Sequence, residues 1–183
     1  MSSVSQTSLA PRRMSFGARM LIATGAAAAI IALALGPAGP AILRLAAEAR
    51  PHAPNLALWE ELSVPIRIHL VTALAALVLG GVLMAVRKGR TFHRVAGWTW
   101  VGLVSVTAGA TLFITSLNPG SWSLLHLFTG WTLIVLPLAV MAAKRGNVAR
   151  HRNAMMGLFY GAFAINLVIA FLPGRTLWMM VFG

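Results

Sequence analysis

The sequence predicts an all-α, polytopic membrane protein with five transmembrane helices, and two observations lead to this fold class. Hydrophobic residues make up 58% of the 183 residues and charged residues only 10%, whereas a soluble domain carries about 25% charged residues. The apolar residues also fall into separate runs, each close to the roughly 20 residues that a helix needs to cross a bilayer. Helices satisfy every backbone group in lipid, so we expect each run to be a helical span in the bilayer.

The apolar runs predict spans over residues 16–35, 66–86, 95–114, 122–143 and 154–172. The first run, with its Arg-rich start, has the look of a signal peptide, but its uninterrupted apolar stretch is 16 residues long. The apolar core of a signal peptide is usually slightly shorter, so we expect this run to be an uncleaved membrane anchor. The chain then divides into a cytoplasmic N-terminus with the first span (1–35), an outer loop (36–63) and a membrane bundle (64–183).

The positive charges set the predicted orientation. Eleven of the fifteen Lys and Arg residues form three clusters, each at the end of an apolar run. This is the positive-inside pattern of a membrane protein. It is not the continuous basic surface with which proteins bind nucleic-acid phosphates, so we expect no nucleic-acid partner. The N-terminus is predicted to be cytoplasmic, and the loop 36–63, the turn 116–121 and the C-terminus to be outside. The clusters are Arg12, Arg13 and Arg19; Arg87, Lys88, Arg90 and Arg94; and Lys144, Arg145, Arg150 and Arg152.

An internal repeat occupies residues 64–118 and 121–175. The sequence IHLVT at 68–72 returns as LHLFT 57 residues later, and each copy reaches a glycine twenty residues after its histidine, through MAVRKG and MAAKRG. The dipeptide HR then follows in both copies. The repeated unit is a helical hairpin, and parallel copies of such a unit are usually related by an axis along the membrane normal. The last four spans are therefore expected to form a four-helix bundle from a duplicated hairpin.

The repeat pairs four of the five histidines at equal predicted depths, His69 with His126 near the outer surface and His93 with His151 near the inner surface. In a cyclic bundle the two helices of the outer pair are diagonal, roughly 11–14 Å apart, because neighbouring helices pack about 8–10 Å apart. Such a gap suits a flat macrocycle between two axial imidazoles, and two histidines alone cannot complete a zinc site. We therefore expect haem b, with His69 and His126 as the ligands of its iron.

Depth favours the outer pair as the cofactor site. Predicted helix starts at Ser63 and Ser121 place His69 and His126 roughly 9 and 7.5 Å into their helices. Two outer arginines, Arg67 and Arg175, are candidates to neutralise haem propionates, although both could equally snorkel to lipid headgroups. The alternative for the histidines is that they are interfacial residues kept through the duplication. The spans contain no acidic residue and the sequence shows no recognisable catalytic set, so no catalytic residue is assigned.

The amino-acid sequence of residues 64–183 resembles that of a known family. The runs IHLVTALAALVLG, HRVAGW, LLHLFTGWTLIVLPLAVMAAKRGNVARHRNAMMGLFYGA and LPGRTLWMMVFG are similar to the bacterial predicted membrane proteins grouped as "domain of unknown function 2306". This resemblance implies a multi-pass protein of the bacterial cytoplasmic (inner) membrane and supplies no function. The histidine layout is also similar to that of cytochrome b-561-type di-haem bundles, which implies His69–His126 and His93–His151 as two ligand pairs.

Two functions from different classes are left open. In the first, the protein is a haem b electron-transfer cytochrome that passes electrons between a quinone and another membrane subunit, with bis-His ligation setting the potential. In the second, it is a cofactor-free accessory or scaffold subunit of a membrane complex. Both have the lipid bilayer as their surroundings.

Reporter fusions test the predicted topology. Fusions after Gly89 and Gly146 should report a cytoplasmic location because both sites follow basic clusters, and a fusion after Pro119 should report an external one. An inverted signal at any of the three sites would contradict the five-span model.

Overall fold

The structure is a computed structural model that describes residues 14–115, 121–123 and 125–183. Every regular element in these ranges is helical, as the composition predicts. A 3-10 turn covers Gly36–Ala38 and a π-helical segment covers Leu158–Ala164. The α-helices are α1 (Phe16–Leu35), α2 (Gly39–Ala47), α3 (Ala57–Glu61), α4 (Val64–Ala85), α5 (Thr91–Thr111), α6 (His126–Lys144), α7 (Val148–Gly157), α8 (Ile165–Ala170) and α9 (Thr176–Phe182).

Three helical stretches within the described part of the chain are long and apolar enough to cross a membrane: Val64–Ala85, His126–Lys144 and Val148–Ala170. A fourth span is added if α1 and the helix after it, which are bent by 52° at their junction, count as one. Helix α5 has 21 residues, but its glycines, threonines and serine leave it less apolar than those stretches. The helices agree with the bilayer environment that the composition predicts, while the five-span topology stays a prediction.

The helix starts agree with the sequence at α1 and α4 and differ at α6. Helix α1 covers Phe16–Leu35, as predicted, and α4 begins directly after Ser63. The prediction of a span from residue 122 with a cap at Ser121 was wrong, because α6 begins at His126. The residues before it form a turn in which the His126 backbone N–H donates to the Ser123 carbonyl over 2.9 Å. His126 is therefore the first residue of its helix and not deep inside it.

Other predicted features differ in extent or fall outside the described ranges. The helix of the last predicted span begins at Val148, ahead of the apolar run and directly after Asn147, the cap that the sequence predicts for it; the Asn147 side chain accepts from the Arg150 backbone N–H over 3.0 Å. The outer loop 36–63 contains α2 and α3. Arg12, Arg13 and residues 116–120 of the predicted outer turn lie outside the described residues.

Helices α4 and α5 form an antiparallel hairpin that is tied by polar contacts along its length. The Thr107 hydroxyl donates to the Thr72 hydroxyl over 2.8 Å, and the Trp100 indole Nε1 donates to the Ala76 carbonyl over 2.9 Å. Helix α5 then contacts α6, α6 contacts α7, and the π-helical segment contacts both α6 and α4. The four segments therefore meet in a ring with α4 and α6 on opposite sides, while a rotation that relates the two hairpins stays a prediction.

The ring encloses a core of apolar side chains with little access to solvent. Val104 and Leu158 are almost completely buried, and Trp100 packs against Phe163 with ring centroids 5.9 Å apart. Large apolar side chains are also exposed on the surface of the protein, for example Leu21 (77% exposed) and Val78 (69% exposed). An outward-facing apolar surface is what lipid as the solvent requires. The buried apolar cluster comprises Ala76, Trp100, Val104, Leu136, Leu158 and Phe163.

Adjacent glycines in α4 test this packing. A Cβ atom at Gly80 would lie 2.5 Å from the Phe159 ring and 2.8 Å from Trp100 Nε1, whereas one at Gly81 would meet nothing within 4 Å. We expect Gly80→Ala to lower the free energy of unfolding in detergent by about 1–3 kcal/mol, because the core is overpacked. The matched control Gly81→Ala should be neutral or stabilise by up to about 1 kcal/mol, since alanine favours helix more than glycine. Equal thermal unfolding midpoints for both variants would contradict this packing.

Candidate ligand cavity in the helix ring

A cavity of about 290 Å³ lies inside the ring at the end where α4 and α6 begin. Its volume is at the lower end of the roughly 300–1,000 Å³ of small-molecule sites. Apolar side chains from all four sides of the ring form most of its wall, and the start of α9 closes one side. The polar residues along the wall are His69, Thr107, Thr111, Ser123, His126, Thr129, Thr132, Asn166, Arg175 and Thr176.

His69, the sixth residue of α4, has one ring nitrogen fixed and the other available. Its Nδ1 lies 3.2 Å from the Thr107 carbonyl oxygen and 2.9 Å from the Thr111 hydroxyl oxygen. Since a carbonyl only accepts, and the Thr111 hydroxyl itself donates to the Thr107 carbonyl over 2.9 Å, Nδ1 carries the proton and donates to both. The Nε2 lone pair forms no hydrogen bond with the described residues. A histidine whose Nδ1–H is held by a backbone carbonyl has the arrangement common in metal ligands.

His126 uses both of its ring nitrogens. Nε2 lies 3.1 Å from the Thr111 carbonyl oxygen, and since a carbonyl only accepts, Nε2 carries the proton and donates to it. In the neutral ring Nδ1 is then unprotonated and accepts from the Ser123 backbone N–H over 3.1 Å, with the Ser123 carbonyl oxygen farther away at 3.3 Å. The contact with Ser123 resembles the return half of a capping box, in which a side chain three residues later satisfies a free backbone N–H at the helix start. In this conformation His126 has no lone pair left for a metal.

The two outer histidines therefore line one cavity but are not equivalent, in contrast to the expectation from the repeat. Both contact Thr111, His69 through its hydroxyl and His126 through its carbonyl. The Trp122 ring stacks on the His126 ring at a centroid distance of 5.8 Å. His69 is ready to bind a ligand, whereas His126 holds the start of its helix.

The two outer arginines also differ. Arg175 precedes α9 and lies in the cavity wall. Burial lowers the pKa of its guanidinium from the usual value, although an arginine stays charged in proteins. Arg67 is not part of the wall, and its buried Nε has no hydrogen-bond partner among the described residues. Of the two, Arg175 is the one placed to meet a ligand.

The inner histidines lie at the other end of the ring. The His151 Nδ1 donates to the Ala139 carbonyl over 3.0 Å, and the buried His93 Nδ1 has no partner in the described part of the chain. Neither residue lines the cavity. Across the described residues, no three His, Cys, Asp or Glu side chains are grouped to hold a metal ion.

Sequence reasoning missed Thr129. Its side chain is 6% exposed and lines the cavity, yet its hydroxyl forms no hydrogen bond with the described residues. The neighbouring buried threonines are engaged, since Thr107 donates to Thr72 and Thr132 donates to the Phe128 carbonyl over 2.8 Å. The repeat offered the signal, because a threonine stands three residues after the histidine in both LHLFT and IHLVT.

The sequence also gave no role to His52, which the structure places at the end of α9. Its Nε2 lies 2.8 Å from the Gly183 carbonyl oxygen and its Nδ1 lies 2.7 Å from the Ala53 carbonyl oxygen. The backbone N–H groups of His52 and Asn55 donate to carbonyls in the last turn of α9, each over 2.9 Å. Hydrogen bonds from the loop 36–63 thus hold α9, whose first residues form part of the cavity wall.

The π-helical segment brings another wall residue to the cavity. Phe163 lies in this segment and Asn166 follows it in α8, and both line the cavity. Short π-helical stretches are rare and occur frequently at functional sites. The π-helical segment therefore points to the same cavity that His69 and His126 line.

No protein-family model, curated protein or solved structure matches this chain. The resemblance to "domain of unknown function 2306" and the layout likeness to cytochrome b-561-type bundles therefore stay predictions. The candidate site rests on the geometry of the cavity alone.

Proposed function

We propose that this protein is an integral membrane protein that holds a redox ligand inside its helix bundle, and that haem b is the ligand favoured by the sequence. The observation that carries the proposal is the state of His69, whose Nδ1–H is fixed by Thr107 and Thr111 while its Nε2 lone pair remains unengaged in the cavity wall. Ionisable groups within membrane spans are rare and mark functional sites. The half-buried His69 ring therefore presents an acceptor, unpaired among the described residues, to a ligand in the cavity.

The residues around the cavity fit haem b in part. His69 offers a lone pair for iron, and Arg175 offers a positive charge for a propionate. His126 fits only if its ring leaves both Ser123 and Thr111, and a cavity of about 290 Å³ would have to widen. A bound haem would supply one-electron transfer. The chain would bind it through His69, balance its charge through Arg175 and exclude water with the apolar wall.

A cofactor-free accessory or scaffold subunit is the second candidate, and the geometry of His126 favours it. Both nitrogens of this ring are satisfied by the backbone, so one of the paired histidines has a structural role without any cofactor. The exposed apolar side chains of α4 and α6, such as Val78 (69%) and Ile134 (63%), suit contact with lipid or with another subunit.

We further propose the bacterial cytoplasmic (inner) membrane as the location, with the N-terminus cytoplasmic and the C-terminus outside. The basic clusters that follow α4 and α6 support this orientation, because Lys144 at the end of α6 lies 5.5 Å from the ring of Trp98 in the first turns of α5, so both clusters lie at the same end of the ring. This end would face the cytoplasm by the positive-inside rule. The cavity would then open near the outer surface, where a quinone or another membrane subunit is the proposed partner.

An absorption spectrum of the purified protein, recorded with and without reductant after expression with ample haem, tests the haem proposal. We expect a haem b spectrum in the wild type and loss of the haem in His69→Ala, because His69 supplies the available lone pair. The matched control His93→Ala should keep the outer haem. His126→Ala reports on the sixth ligand: a five-coordinate spectrum would show that His126 rotates to bind iron. A colourless wild type would reject haem b and leave the accessory-subunit proposal.

A further inference from the structure

We propose that the cavity is built to bind the reduced, hydroxylated ring of a membrane quinol, with His69 and Thr129 as the groups that recognise its hydroxyls. The inference rests on the proposed role of the cavity as a redox-ligand site, but it does not need haem.

The first requirement of the site is a ligand that donates a hydrogen bond. His69 Nδ1 donates to Thr107 and Thr111, so the neutral ring presents Nε2 as an acceptor. A quinol hydroxyl can donate to this lone pair. The oxidised quinone has only carbonyl acceptors, and it would place an oxygen lone pair against that of Nε2. The site should therefore discriminate between the two redox states.

The second requirement is a ligand that accepts a hydrogen bond. Thr129 is 94% buried (6% exposed), lines the cavity and leaves its hydroxyl unpaired among the described residues. The Thr129 hydroxyl is therefore available in the cavity wall as a donor. A quinol oxygen can accept from it, and a saturated hydrocarbon chain of a lipid cannot.

The remaining wall fits an aromatic ring. Phe128 and Phe163 line the cavity with leucine, isoleucine and alanine side chains, and aromatic rings pack well against one another at offset or edge-to-face geometries. A volume of about 290 Å³ suits a single substituted ring. Arg175 places a positive charge in the wall, so oxygen-rich ligands are favoured over cationic amines.

Binding of three matched compounds to the purified full-length protein, freed of haem and kept anaerobic in detergent, tests the inference. The probes are a decyl-substituted benzoquinol, its oxidised quinone and its dimethyl ether, which has the same ring but no hydroxyl. Equilibrium dialysis should show binding of the quinol at least about tenfold tighter than of the other two, since a site with buried polar groups rejects analogues that cannot pair with them.

Single-residue variants test whether the Thr129 hydroxyl makes the proposed hydrogen bond to the quinol. Thr129→Val, which keeps the shape and removes the hydroxyl, should weaken quinol binding by about five- to tenfold, as expected for one lost hydrogen bond. The matched control Thr99→Val removes an exposed α5 hydroxyl that is bonded to the Val95 carbonyl, and it should leave binding unchanged.

Equal binding of quinol, quinone and ether would overturn the inference, and this result does not depend on any variant folding correctly. Absence of quinol binding would overturn it as well. The haem spectrum separates the two proposals: haem that is retained in the cavity and lost in His69→Ala would refute the quinol site while supporting haem, whereas a colourless protein that binds quinol would do the opposite.

Discussion

The last turn of α5 is the constraint on which the outer end of the bundle depends. The Thr111 hydroxyl accepts from His69 on α4, and the Thr111 carbonyl accepts from His126 at the start of α6. One residue thus ties three helices together and fixes the protonation pattern of both rings. The Thr111 carbonyl also accepts from the Ile114 backbone N–H over 3.0 Å, and because a carbonyl oxygen has two lone pairs it can accept from His126 as well. The cavity and its one available nitrogen follow from this arrangement.

Residues that correspond in the two similar sequence stretches lie in unequal environments. Thr72 accepts from Thr107 and donates to the Ile68 carbonyl, while the hydroxyl of its counterpart Thr129 has no hydrogen-bond partner among the described residues. The same contrast holds for the histidines, since His69 lies within α4 and His126 begins α6. The asymmetry leaves His69 Nε2 and the Thr129 hydroxyl as groups in the cavity wall without a partner among the described residues.

The helical class was predictable from the sequence, whereas the five-span topology and the duplicated hairpin stay predictions. Apolar run length predicted the bounds of α1, and the cap at Ser63 predicted the start of α4. The similarity of IHLVT and LHLFT can be seen in the sequence itself, and it identified His69 and His126 as candidate site residues. The ring orientation of His126 was not predictable, since it depends on a turn back to Ser123, and the contact of His52 with Gly183 spans 131 residues. Hydrogen bonds of this kind exist only once the chain has folded.

Nitrogen-15 NMR of histidine-labelled, ligand-free protein tests the central claim most directly, which is that the two outer histidines hold opposite tautomers and that only His69 has a free lone pair. With resonances assigned through single His→Gln variants, the account predicts a protonated Nδ1 and an unprotonated Nε2 in His69. It predicts the reverse in His126, whose Nδ1 accepts from Ser123 and whose Nε2 donates to Thr111. The same tautomer in both rings, or a protonated Nε2 in His69, would contradict the account.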